Sequence, residues 1–161
     1  MAKLILLRGT IGSGKTSVSK ELKRICPETE LIEIDDIKLE KYGTTIKCDP
    51  IVDFREAGER AGPLLSWGLN VVVVEPLCEK DHYRYVLEAA NKAEDSTDVI
   101  PVWLECSMPI AIKRKSKDLS ENIIRCQFCR YTNRYRPKNE LIIDTESKSI
   151  GRVAKQIYDS F

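Results

Sequence analysis

No apolar run in this sequence is long enough to cross a bilayer. The longest, residues 4–7 and 71–74, fall far short of the ~20 residues a spanning helix needs. The first residues carry no stretched apolar region and no small-residue cleavage site, so no secretory signal is read and a cytoplasmic location is expected. Internal repeats, low-complexity tracts and Pro/Gly/Ser-rich linkers are missing, which excludes solenoids and beads on flexible tethers. Histidine occurs once, as His82, and reads as a surface residue of a helix; no Ser/His/Asp or Cys/His hydrolytic set can be assembled around it. Beyond one basic segment the chain has no track of interleaved basic and aromatic residues of the kind that holds a single strand.

What remains is an ordinary soluble composition. The chain has 161 residues, with 42% apolar and 32% charged, which suits one domain spanning 1–161 with a core that needs no staples. The six cysteines, Cys26, Cys48, Cys78, Cys106, Cys126 and Cys129, are not expected to form a disulfide framework in a cytosolic chain. The net charge is only +1, but it is unevenly spread. Residues 113–138 hold nine basic and two acidic side chains, a surplus of +7, so the rest of the chain carries −6. A single domain polarised in this way is expected to hold an anionic ligand over its basic segment.

Hydrophobic periodicity alternates between short runs and amphipathic stretches. Strands are predicted at residues 3–7, 31–34, 70–74, 99–104 and 140–143. Helices are predicted at 15–25, 50–67, 80–93, 108–117 and 147–158, with a further helix following the second strand. The four valines at 71–74 suit a central strand buried on both faces. This alternation predicts an α/β fold, a parallel sheet covered by helices on both sides, with its ligand at the carboxyl ends of the strands.

One motif lies at such an end. Gly9-Thr10-Ile11-Gly12-Ser13-Gly14-Lys15-Thr16 matches G-x-x-x-x-G-K-[ST], between an apolar strand and a helix. Glycines let the backbone wrap a phosphate, successive N–H groups form an anion nest, and the helix end adds positive charge. Lys15 is expected to reach the β- and γ-phosphates, and the Thr16 hydroxyl to bind Mg²⁺. Gly9, Thr10, Gly12, Ser13, Gly14 and Ser17 complete the nucleotide site. No guanine-reading Asn-Lys-x-Asp occurs, which argues against a GTPase.

From end to end the chain resembles small P-loop kinases. It is similar to polynucleotide 5′-hydroxyl kinases and, more loosely, to gluconate, shikimate and adenylylsulfate kinases. The resemblance implies a three-layer α/β/α P-loop NTPase sandwich with a five-stranded parallel sheet of order 2-3-1-4-5 and a lid at about 115–137. It also implies ATP and Mg²⁺ as cofactors and a γ-phosphoryl transfer to a hydroxyl of a small molecule or nucleotide. Residues 34–38, Ile-Asp-Asp-Ile-Lys, resemble the Asp-Asp-x-Arg segment of polynucleotide kinases, which makes Asp35 the general base and a metal-side ligand. The alternative for Asp35 and Asp36 is capping of the following helix. Lys38 stands where the family has Arg, and loses the bidentate fork.

Residues 71–75 resemble a Walker B strand with Glu75 in place of Asp, to hold a Mg²⁺-bound water or a substrate hydroxyl; the alternative is a solvated strand-end acid. Arg114 takes the position of an arginine that packs on adenine. Arg125, Arg130, Arg134 and Arg136 are the lid candidates, with Arg125 and Arg130 proposed as catalytic. Asp36, Lys38, Arg55 and Glu75 are assigned to the acceptor, Arg55 as the residue for an anionic group; Tyr42, Phe54 and Arg60 lie in the same region. Cys126 and Cys129 form a CxxC that reads as two small residues on the lid, with half of a zinc site as the alternative. Two rival functions stay open: a polynucleotide 5′-hydroxyl kinase, and an ATP-binding switch with no acceptor.

Overall fold

The computed structural model describes residues 2–75, 79–91 and 98–161. Five strands, β1 (Lys3–Gly9), β2 (Thr29–Glu33), β3 (Asn70–Val74), β4 (Asp98–Glu105) and β5 (Leu141–Asp144), form one sheet. All neighbouring pairs are parallel and the order is β2-β3-β1-β4-β5. This is the α/β P-loop architecture expected from the alternation of elements. The helices are α1 (Lys15–Ile25), α2 (Ile34–Tyr42), α3 (Pro50–Ser66), α4 (Lys80–Asn91), α5 (Met108–Lys115), α6 (Glu121–Arg130) and α7 (Ile150–Tyr158).

Successive side chains of a strand point to opposite faces, and the two cores follow that rule. Leu4, Leu6, Val71 and Val73 face α3 and α4, together with Ile34, Ile37 and Phe54. Ile5, Leu7, Val72 and Val74 face α1 and α7, together with Leu22, Val153 and Ile157. The central strands are thus apolar at every position because each has two buried faces. A third, smaller cluster joins Ile11, Cys106, Ala111 and Ile124, tying α6 to α5 and to the glycine-rich loop.

Several boundaries differ from the sequence expectation. The second strand ends at Glu33 and Ile34 already belongs to α2; Ile34 and Ile37 are fully buried one helical turn apart, so packing draws Ile34 out of the strand. The last strand begins at Leu141, because Glu140 is held by two arginines described below. The fifth helix ends at Lys115, with the separate helix α6 following it, and the last helix begins at Ile150 behind the N-cap Ser149. The predicted helix 80–93 is observed to Asn91, and residues 92–93 lie outside the described residues. Helix α3 follows its signals closely. Asp49 caps it by accepting from Val52 N, Pro50 opens it, and Gly68 at φ 83° closes it in the left-handed region. Among the described residues no helix is long and apolar enough to cross a membrane.

Candidate active site

The strand order reverses direction beside β1, and the crevice at that switch point is where ligands bind in such sheets. The loop between β1 and α1 sits there. Gly12 and Gly14 take left-handed φ values of 74° and 88°, and a Cβ on Gly12 would stand 2.8 Å from the Ala111 Cα. The loop is braced from several sides. Thr10 N donates to Leu104 O at 3.1 Å, and Ser13 Oγ donates to Thr10 O at 2.8 Å. Lys15 Nζ lies back on the loop, donating to Gly9 O at 2.9 Å and Thr10 O at 3.0 Å.

Arg114 ties the loop to the end of β5. Its Nη1 donates to Gly12 O at 3.0 Å and to Thr145 Oγ1 at 3.1 Å, and its Nη2 to Thr145 O at 2.8 Å. The Thr145 hydroxyl passes its own proton to Glu105 O. A cavity of about 420 Å³ opens here, lined by residues 12–17 of the loop and by Arg114, Lys115, Thr145, Lys148, Ile150 and Val153. Its cations are Lys15, Arg114, Lys115 and Lys148, and among the described residues no carboxylate lines it. This is an anion-binding cavity with an apolar end, the profile of a nucleotide site. Lys115 and Lys148 escaped the sequence reading; the only signal for Lys148 was its place just past the carboxyl end of the last strand.

A second group of charges lies at the ends of β2 and β3. Lys38, buried on α2, pairs with Asp35 at 3.3 Å and with Glu75 at 3.6 Å. Burial pulls the Lys38 ammonium down, but Glu75 and Asp35 outweigh it and hold it above the ordinary lysine value. Burial pushes the Glu75 carboxyl up, to about 7, and Asp35 adds to this while Lys38 and Lys15 oppose it. Glu75 N donates to Leu7 O at 3.3 Å, so the acid stands beside the strand that leads into the phosphate loop. Glu75 is mostly covered rather than a solvated strand end. Asp35 and Asp36 occupy the first turn of α2, where the N-cap is Glu33 and no side chain caps the helix. The capping alternative for Asp36 is thus overturned: both acids lie inside the helix and complement its dipole. The Tyr42 hydroxyl donates to Asp53, as does the Asp49 N–H, so the fully buried Asp53 pins the loop between α2 and α3.

Other expected residues fall elsewhere. Arg55 is exposed, and its guanidinium lies over the Tyr85 ring at 5.4 Å. Arg60 is gripped by Glu40 and Glu56. Phe54 is core, stacked on His82 at 4.5 Å; His82 is half-covered rather than a surface residue, and burial, its largest influence, lowers its pKa. Arg125 and Arg130 are exposed on α6, where Arg125 pairs with Glu121 at 2.6 Å. Arg136 is also exposed. Arg134 is not available to a phosphate. It is buried, pairs with Glu140 at 2.7 Å, and lies 3.7 Å over the Trp103 ring. Glu140 also takes Arg8 at 2.8 Å. Cys126 and Cys129 are exposed on α6, and among the described residues no group of three or more His, Cys, Asp or Glu side chains is placed to hold a metal. A Mg²⁺ riding on a triphosphate needs fewer protein ligands than that. The exposed Thr16 hydroxyl and the Asp35 carboxylate are hard oxygen donors of the kind it takes.

No family model matches the chain, and no curated protein matches it. Solved structures do. The APS kinase of Mycobacterium tuberculosis, in complex with AMPPNP and APS, superposes with a TM-score of 0.76 at 19% identity, covering 98% of this chain and 96% of that one. A gluconokinase from Sinorhizobium meliloti gives 0.69 at 18%, with 96% and 89% covered. The Deinococcus radiodurans tunicamycin resistance protein gives 0.67 at 15%, with 99% and 95% covered. The chain has the fold of the small P-loop kinases.

Proposed function

We propose that this protein is an ATP-dependent phosphotransferase that moves the γ-phosphoryl group to a hydroxyl of a small molecule, working in the cytoplasm. The observation that carries this is the placement of Glu75, whose N–H donates to Leu7 O at 3.3 Å on the strand leading into the phosphate loop, and its pairing with Lys38, which also holds Asp35. Two acids and a buried lysine thus stand at the ends of the strands beside the one that carries the phosphate loop. A nucleotide switch without an acceptor has no use for such an arrangement.

In this reading the triphosphate lies on the N–H groups of residues 9–16. Lys15 leaves its two loop carbonyls for the β- and γ-phosphates. Thr16, with Asp35 on the metal side, holds the Mg²⁺, which supplies charge neutralisation when bound. Arg114 offers the flat face of its guanidinium to the base while its edges stay bound to Gly12 and Thr145. Asp35 accepts the proton of the attacking hydroxyl, and Lys38 and Glu75 hold it at the required angle. Arg125 or Arg130 closes from α6 over the transferred group as its charge spreads. Asp36 borders the acceptor mouth.

The test is Asp35→Asn, assayed with a turned-over acceptor. Turnover should fall by roughly 10²–10⁴-fold, the usual worth of a general base, with affinity for metal-free ATP nearly unchanged. Undiminished turnover would remove Asp35 from this role. If the native protein shows no acceptor-dependent ATP consumption across sugars, nucleosides, hydroxy acids and 5′-hydroxyl oligonucleotides, it is no phosphotransferase of this kind.

A further inference from the structure

Resting on the phosphotransferase reading, we infer that the acceptor is an uncharged polyhydroxylated molecule of the sugar, polyol or nucleoside class. It presents no carboxylate or phosphate to the β2–β3 side of the site.

That side of the molecule is built from α2, the loop after it, α3 and the end of β3. Residues 34–66 contain five cations, Lys38, Lys41, Lys47, Arg55 and Arg60, against seven acids. Three of these cations are paired with acids, and the other two lie exposed over aromatic rings. Lys41 pairs with Glu56, and Arg60 with Glu40 and Glu56. Arg55 lies over Tyr85 and Lys47 over Tyr42. Of these five, Lys38 is the one that pairs with Asp35 and Glu75, and both hold it with its side chain only 8% exposed. An arriving carboxylate or phosphate would have to displace one of those acids from a buried ammonium, leaving the acid desolvated beside a second negative charge. A hydroxyl has no such conflict. It donates to Asp35 or Glu75 and leaves the pairing in place.

The sheet order accounts for the rest of the charge. The basic segment 113–138 follows β4 and precedes β5, on the far side of β1 from β2. Its Arg114 and Lys115 line the nucleotide cavity together with Lys15 and Lys148. Arg114 and Lys115 thus stand on the nucleotide side of the sheet, while residues 34–66, with two more acids than cations, follow from the strand on its other side.

The test uses native protein with ATP, Mg²⁺ and matched acceptor pairs: a sugar or polyol against its sugar acid, a nucleoside against its 3′-monophosphate, and a short 5′-hydroxyl oligonucleotide as a polyanion. The uncharged member of each productive pair should have a kcat/KM higher by roughly tenfold or more, the usual worth of one charge-assisted contact. Glu75→Gln releases one of the two acids from Lys38 and should narrow that ratio. Preference for the anionic member by the native protein would overturn the inference and leave the phosphotransferase reading standing. Turnover of no acceptor at all, with ATP still bound, would overturn both. The selectivity of the native protein decides the matter even if the variant does not fold.

Discussion

At the scale of single residues, the most consequential side chains outside the site are two arginines that share one acid. Arg8 and Arg134 both end on Glu140, and the three side chains are almost fully buried. Arg8 also donates to Tyr135 O at 2.7 Å, so the chain leading into β5 is fastened to the strand that carries the phosphate loop. Removing one member of a buried ion group leaves charge without compensation, which costs about 3–5 kcal/mol. Glu140→Ala should therefore lower the melting temperature by roughly 10 °C or more, given ~2–4 °C per kcal/mol for a chain of this size. Replacing Arg8, Arg134 and Glu140 together by apolar residues of similar volume should recover much of that loss. A thermal melt of the two variants checks both statements. If Glu140→Ala melts within 2–3 °C of the native protein, the triad adds little.

At the scale of elements, α3 and α4 approach more closely than ordinary side chains allow. Gly58 is buried on α3, and a Cβ there would lie 2.3 Å from Val86 O and 2.6 Å from the Ala89 Cβ. Its role is close approach, since it sits inside a regular helix. The obstacle is partly backbone and cannot rotate aside, so Gly58→Ala should force the helices apart and cost about 1–3 kcal/mol, despite the gain in helix propensity. Denaturant unfolding measures this. A more stable variant would mean the seam yields without loss. Helices α3 and α4 also carry Phe54 and His82, whose rings stack at 4.5 Å across the seam. On the other side of the molecule the cluster of Ile11, Ala111 and Ile124 seats α6, with its exposed Arg125 and Arg130, against the phosphate loop.

At the scale of the whole molecule, stability should depend on pH through Glu75. Its folded-state pKa is raised to about 7 from the ordinary 4.5, chiefly by burial. The folded protein therefore binds this proton more tightly than the unfolded chain does. The corresponding stabilisation is complete below the ordinary value and is lost as pH rises through about 7. Between roughly pH 5 and 8 the melting temperature should carry a falling component, which Glu75→Gln removes. Melting curves across this range decide it: a variant with the same slope as the native protein would show that Glu75 is not the titrating group.

The sequence by itself determined the parts of this protein that depend on local chemistry. The glycine-rich loop is legible because backbone N–H groups bind phosphate through their spacing alone, and Gly12 and Gly14 take the left-handed conformations that spacing demands. The parallel sheet followed from the alternation of elements and its order from the resemblance to small P-loop kinases, which also nominated Asp35, Lys38 and Glu75 through residues 34–38 and 71–75. Only the tertiary structure decided which charges meet. An arginine at position 134 reads like those at 125 and 130, yet it is neutralised in the interior by an acid six residues on, and Lys38 is claimed by an acid thirty-seven residues away. Ion pairing and burial are set by distances in space, and a periodic pattern records which face of an element is apolar but not what that face will touch.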